Sequence, residues 1–100
     1  MAEPNIARVT IVNTSGTTTF KPSPQPITQF DSVFWVNETN EAHQPAPDGG
    51  TNDQWVSQPI LPQGSSPQIV FENTGSFPYH CAKHPQSQTE KGVITVKAQS

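Results

Sequence analysis

Cys81 and His84 stand three residues apart in the stretch Phe77-Pro-Tyr-His-Cys-Ala-Lys-His-Pro85, which holds the only cysteine of the chain and two of its three histidines. A thiolate and an imidazole at that spacing converge on one soft or borderline metal ion when a tight turn brings both side chains to the same side. Two ligands do not complete a coordination sphere, so other parts of the chain must supply the rest.

The elements available to do so read as short strands. One hundred residues make one domain, residues 1–100, with a single modest core. Eleven prolines and abundant Thr, Ser, Gln and Asn, with few strong helix formers, favour strands joined by turns. Residues 6–12 alternate Ile6, Arg8, Thr10, Val12 against Ala7, Val9, Ile11 and end at the turn Thr14-Ser-Gly16. Residues 17–20 are short and β-branched, and the prolines that follow at 22, 24 and 26 belong on an edge or the surface. The continuous apolar run in Ser32-Val-Phe-Trp-Val-Asn37 predicts a central strand covered on much of both faces.

Residues 38–53 read as an aperiodic loop, broken by Pro45, Pro47 and Asp48-Gly-Gly50 and carrying His43 near its start. Trp55 and Val56 mark a short apolar return, residues 61–67 are turn material, and residues 68–72, 77–81 and 92–97 read as strands. In the second of these Phe77, Tyr79 and Cys81 share one face and His80 takes the other, so His80 is not expected to be a ligand. Trp35, Trp55 and Tyr79 read as packing residues. Six to eight such strands, with no helical periodicity, imply an all-β, antiparallel Greek-key β-sandwich.

A formal charge of −3 with no run of Lys or Arg argues against nucleic acid or an anionic membrane surface as partner. No apolar stretch approaches the roughly 18 residues of a membrane span, so membrane insertion is not expected. A single cysteine forms no internal disulfide and leaves the redox compartment unmarked.

His43 follows the strong strand and Cys81 ends a strand from the other half of the chain. Strand ends cluster at the poles of a sandwich, so the two can meet. Two imidazoles and one thiolate form a trigonal set, which with a weak axial ligand is the blue-copper type of site. The thiolate donates strongly to Cu(II) and stays bound to Cu(I), and a frame that barely moves between the two lowers the cost of electron exchange.

Over nearly its whole length the chain resembles the cupredoxins, particularly the small plastocyanin- and amicyanin-like proteins. The likeness is carried by Phe20-Lys-Pro22, by Asp31-Ser-Val-Phe-Trp-Val-Asn37 leading to His43, and by Leu61-Pro-Gln-Gly-Ser-Ser-Pro67 before Ile69-Val-Phe71. Gly75-Ser-Phe-Pro-Tyr-His-Cys81, His84-Pro85 and Gly92-Val-Ile-Thr-Val96 complete it. The resemblance implies the family's Greek-key sandwich and copper held by His43, Cys81 and His84. It also places Asn37 where such proteins tie the two ligand loops together near the cysteine.

The fourth ligand departs from the family pattern. Members commonly carry Met two residues before the glycine that opens the last strand, whereas the only methionine here is Met1. Counting back from Gly92 puts Glu90 in that slot; counting forward from His84-Pro85 reaches Ser87. Glu90 is the first choice, Gln88 and Gln86 are alternatives, and an open position is the remaining one. A hard oxygen donor favours Cu(II) and lowers the reduction potential, whereas an open position admits small ligands.

The expected function is that of a mononuclear type 1-like copper protein, a one-electron carrier and not an enzyme. His84, beside Pro85, would face a redox partner protein across an apolar rim of Pro45, Ala46 and Pro47. Glu38, Glu41, Asp48 and Asp53, set against Lys83 and Lys91, would orient that partner weakly. The expected form is a monomer in the periplasm or another extracytoplasmic compartment, its export signal removed. The rival expectations are a copper-holding or copper-delivery protein, and a copper site reactive toward small molecules through an open or oxygen-ligated axial position.

Overall fold

The computed structural model describes residues 5–48, 55 and 58–99. Among them lie eight strands: β1 (Ile6–Thr14), β2 (Thr17–Lys21), β3 (Gln25–Thr28), β4 (Ser32–Asn37), β5 (Pro45–Pro47), β6 (Ile69–Val70), β7 (Gly75–Cys81) and β8 (Lys91–Lys97). They form two four-stranded sheets, ordered β2-β1-β4-β6 and β3-β8-β7-β5. The all-β sandwich expected from the pattern is present, and no helix among the described residues is long and apolar enough to cross a membrane.

Pairing directions are mixed rather than uniformly antiparallel. β1 runs parallel to β4, with Val9 beside Trp35, and β3 runs parallel to β8, with Ile27 beside Val96. Both arise because β3 belongs to the opposite sheet from β2 and β4, so the chain crosses between layers instead of turning back beside itself. The turn between β1 and β2 places Ser15 and Gly16 at positive φ, as a tight hairpin requires, and the Asn13 side chain accepts the Gly16 amide at 3.1 Å.

β4 is central, between β1 and β6, as its apolar run predicts. Its two faces differ, however: Val33, Trp35 and Asn37 are buried, whereas Phe34 and Val36 on the outer face are only half covered. The aperiodic reading of residues 38–53 also needs correction. Pro45–Pro47 is a strand, paired antiparallel to β7 with Pro45 opposite Cys81. Proline is compatible with it because β5 is an edge strand, with one side free of ladder bonds. The apolar return at Val56 and the acid Asp53 lie outside the described residues.

The inner faces of the two sheets enclose Val9, Ile11, Phe20, Val33, Trp35, Phe71, Phe77, Tyr79, Ile94 and Val96, and Cys81 belongs to the same cluster. Tyr79 meets Phe20 and Trp35 edge-on, with ring centroids 5.0 and 5.3 Å away, and Trp55 tilts against Trp35 at 5.1 Å. Trp35 and Tyr79 are thus core packing, with Trp55 partly buried against them.

Tyr79 is accommodated by a glycine. It lies opposite Gly92 in the β7–β8 ladder, and a Cβ there would collide with the phenol oxygen and the ring carbon that bears it. Gly92→Ala is therefore expected to overpack the core and lower stability by about 1–3 kcal/mol. Urea titration would show a lower midpoint at unchanged slope; an unchanged midpoint would mean that the ring can move aside.

Candidate metal centre

β7 points Phe77, Tyr79 and Cys81 inward and leaves His80 on the other side, where its Nδ1 lies 2.7 Å from the Asp48 carboxylate. Cys81, at the end of that strand, is fully buried. His43 comes from the other half of the chain, and two backbone hydrogen bonds hold it. Its amide donates to the Ile60 carbonyl at 3.2 Å, and the Ile60 amide donates back at 2.7 Å.

A buried polar node secures the same arm. Asn37 is fully buried; its Nδ2 donates to the carbonyls of Glu41 at 2.8 Å and Ile60 at 3.0 Å. Its Oδ1 accepts from the amide and hydroxyl of Thr39 at 2.9 and 2.7 Å. These bonds brace the His43 arm. The link to the cysteine is made instead by Gln44, whose amide donates to Cys81 Sγ at 3.4 Å while its carbonyl accepts the Ala82 amide at 2.8 Å.

From Cys81 the chain turns back on itself before β8. The His84 amide donates to the Cys81 carbonyl at 3.1 Å, the Ser87 amide to the His84 carbonyl at 3.0 Å, and the Cys81 amide to the Glu90 carbonyl at 3.0 Å. This folded loop brings four side chains from two halves of the chain to one point.

Ligand-type atoms of His43, Cys81, His84 and Glu90 all lie within 4.8 Å of one another. Cys81 Sγ is 3.7 Å from Nδ1 of both histidines. Glu90 Oε1 is 3.0 Å from His43 Nδ1 and 2.9 Å from His84 Nδ1. An ion with bonds of about 2.3 Å to sulfur and about 2.0 Å to nitrogen separates those ligands by about 3.5–3.7 Å, between the tetrahedral and trigonal angles. An oxygen about 2.1 Å from the same ion and at right angles to each nitrogen would lie about 2.9 Å from both. The donor types and these separations would let His43, Cys81, His84 and Glu90 hold one metal ion.

Gln86 and Gln88, the alternative fourth ligands, are both exposed, whereas Glu90 is buried. Pro45 and Ala46 are buried in β5, so the exposed apolar rim expected from residues 45–47 is not formed; Ala82 and Pro85 are the exposed apolar residues beside His84. The His84 side chain is 39% exposed, and its Nε2 is 4.0 Å from a carboxylate oxygen of the exposed Glu41. His43 Nε2 is buried without a hydrogen-bond partner.

Burial pushes the Cys81 thiol above its ordinary range, with Glu90 adding to the shift; hydrogen bonds from the backbone of Gln44, Lys83 and His84 oppose it. The thiol is therefore protonated in neutral solution without a metal, and an ion that takes the sulfur must displace a proton.

No known family model matches the chain, and neither does any curated protein. Among solved structures it is similar to a purple cupredoxin from Nitrosopumilus maritimus, at 23% identity over 91% of this chain and 99% of that one, with a TM-score of 0.75. It is also similar to a reduced amicyanin mutant, at 18% identity over 92% of this chain and 82% of that one, TM-score 0.76. Oxidised plastocyanin from Dryopteris crassirhizoma matches at 16% identity over 90% of this chain and 99% of that one, TM-score 0.75. The chain has the cupredoxin β-sandwich fold.

The raised thiol carries a signed pH dependence. The unfolded chain ionises Cys81 near pH 8.5, before the folded chain does, so metal-free stability should decline as pH rises through and beyond that value. Urea midpoints taken on either side of it should fall for the native sequence and fall less for Cys81→Ala. Parallel declines in the two proteins would show that the thiol is not the source.

Proposed function

We propose that this protein is a mononuclear type 1-like copper protein that carries single electrons. The observation that supports this reading is the convergence of Cys81 Sγ, the Nδ1 atoms of His43 and His84 and one oxygen of Glu90 at the end of a sandwich core. Copper bound there supplies a one-electron Cu(II)/Cu(I) couple whose ligands suit both oxidation states.

The residues of the chain do the rest. Cys81 supplies the strong sulfur donor from within the core cluster, where water is excluded. Gln44 donates a hydrogen bond to that sulfur, and Asn37 with Ile60 braces the His43 arm, so little of the frame has to move when charge changes. Glu90 is the fourth donor, and its hard oxygen favours Cu(II) and lowers the potential. The partly exposed His84 is the point of approach for a redox partner protein.

In this reading the chain is one domain, a monomer and not an enzyme, working in the periplasm or another extracytoplasmic compartment. Glu90 in the fourth position argues against the open-position form of the small-molecule reading; its oxygen-ligated form is left to the azide test below.

Optical and EPR spectra of copper-loaded native protein, Cys81→Ser and Glu90→Ala test the reading. The native protein should show an intense thiolate-to-copper band that Cys81→Ser loses. Glu90→Ala should keep such a band at a shifted energy and show a higher reduction potential, and azide should leave the native spectrum unchanged. A native protein without the band, or without a reversible voltammetric wave, would rule out the proposed carrier.

A further inference from the structure

The loop between Cys81 and Glu90 has a period of three. Cys81 and Glu90 are buried and His84 and Ser87 are half-buried, whereas residues 82, 83, 85, 86, 88 and 89 are all exposed. The hydrogen bonds follow the same step, from the amide of His84 to the carbonyl of Cys81 and from the amide of Ser87 to the carbonyl of His84. The next step changes in kind. The Glu90 amide donates to the Ser87 hydroxyl, Oγ, at 3.2 Å, and the Thr89 amide donates to the same oxygen at 3.3 Å. The Cys81 amide then closes the ring on the Glu90 carbonyl at 3.0 Å.

Three of the four inward positions carry a donor atom of the candidate centre, and the fourth is Ser87. A serine hydroxyl that accepts amides two and three residues ahead is a local turn device, offering the backbone a partner where no carbonyl is placed to serve. Here it ends the run of turns and sets the point at which the chain enters β8. That entry decides which side chain faces the two imidazoles. Were the amides of Thr89 and Glu90 released, the Glu90 backbone would keep its carbonyl bond to the Cys81 amide, and the placing of the carboxylate would fall to its own contacts with His43 and His84.

We propose that Ser87 is a positioning residue whose hydroxyl, by accepting the Glu90 amide, makes Glu90 rather than Gln86 or Gln88 the fourth side chain of the centre. The consequence for bound metal rests on the copper reading given above; the hold on the Glu90 amide does not.

Two measurements on the native protein, Ser87→Ala and Ser87→Thr separate the two. In metal-free protein, amide hydrogen exchange at Glu90 should quicken by roughly fivefold to tenfold in Ser87→Ala, as loss of one hydrogen bond implies, and stay near native in Ser87→Thr. In copper-loaded protein, the charge-transfer band of Ser87→Ala should move toward that of Glu90→Ala, with Ser87→Thr restoring the native position. A merely structural role would lower the melting temperature and leave the band in place.

Unchanged Glu90 exchange in Ser87→Ala would overturn the proposal. So would a Ser87→Ala spectrum superimposable on the native one while that of Glu90→Ala differs. Absence of any copper-thiolate band in the native protein would remove the copper reading, and the metal-free exchange would still decide whether Ser87 holds Glu90.

Discussion

The two halves of the candidate centre are joined at one backbone junction, where the His43 arm meets the end of β7. Pro45 pairs with Cys81, the Gln44 carbonyl takes the Ala82 amide, and the Gln44 amide reaches the sulfur itself. These contacts join residues 36–38 positions apart in the chain, and closing a loop of that length costs entropy that local contacts cannot repay. Compensation comes from the core beneath: Trp35, Phe71 and Tyr79 are among the largest fully buried side chains, and the cysteine belongs to the same cluster. The geometry at the pole is thereby inherited from the packing of the sandwich.

How much of this could be read in advance depended on where the information resides. β4 was legible because β-branched and aromatic side chains in a continuous run have few other uses in a small domain. β5 was not: three residues with two prolines look like a loop until the register with β7 is known. The parallel pairings were hidden for a related reason, since side-chain alternation is the same for either direction and only the crossing of layers decides. Gln44 was invisible because it acts through its amide and carbonyl, which every non-proline residue possesses.

Residues 81–90 are the instructive case. Glu90 and Ser87 both emerged from counting, as competing answers to one question. The structure gives them different places in the same ring, one presenting a carboxylate and the other a hydroxyl that receives its neighbour's amide. The spacing 81, 84, 87, 90 was present in the sequence throughout. A period of three belongs to neither strand nor α-helix, however, and acquires meaning only when successive tight turns are known to be made.

The placement of prolines has a bearing on how this protein meets other copies of itself. A sandwich of two open sheets has four edge strands, here β2, β6, β3 and β5, and each is a potential template for an incoming strand. β6 is only two residues long, β3 contains Pro26, and β5 retains a single N–H between Pro45 and Pro47. Among the described edge strands only β2 offers a longer ladder, and it ends in the exposed Lys21. The described strands thus leave little edge on which an amyloid-like stack could begin, and the prolines that guard β3 and β5 are residues that obscure those strands in the sequence.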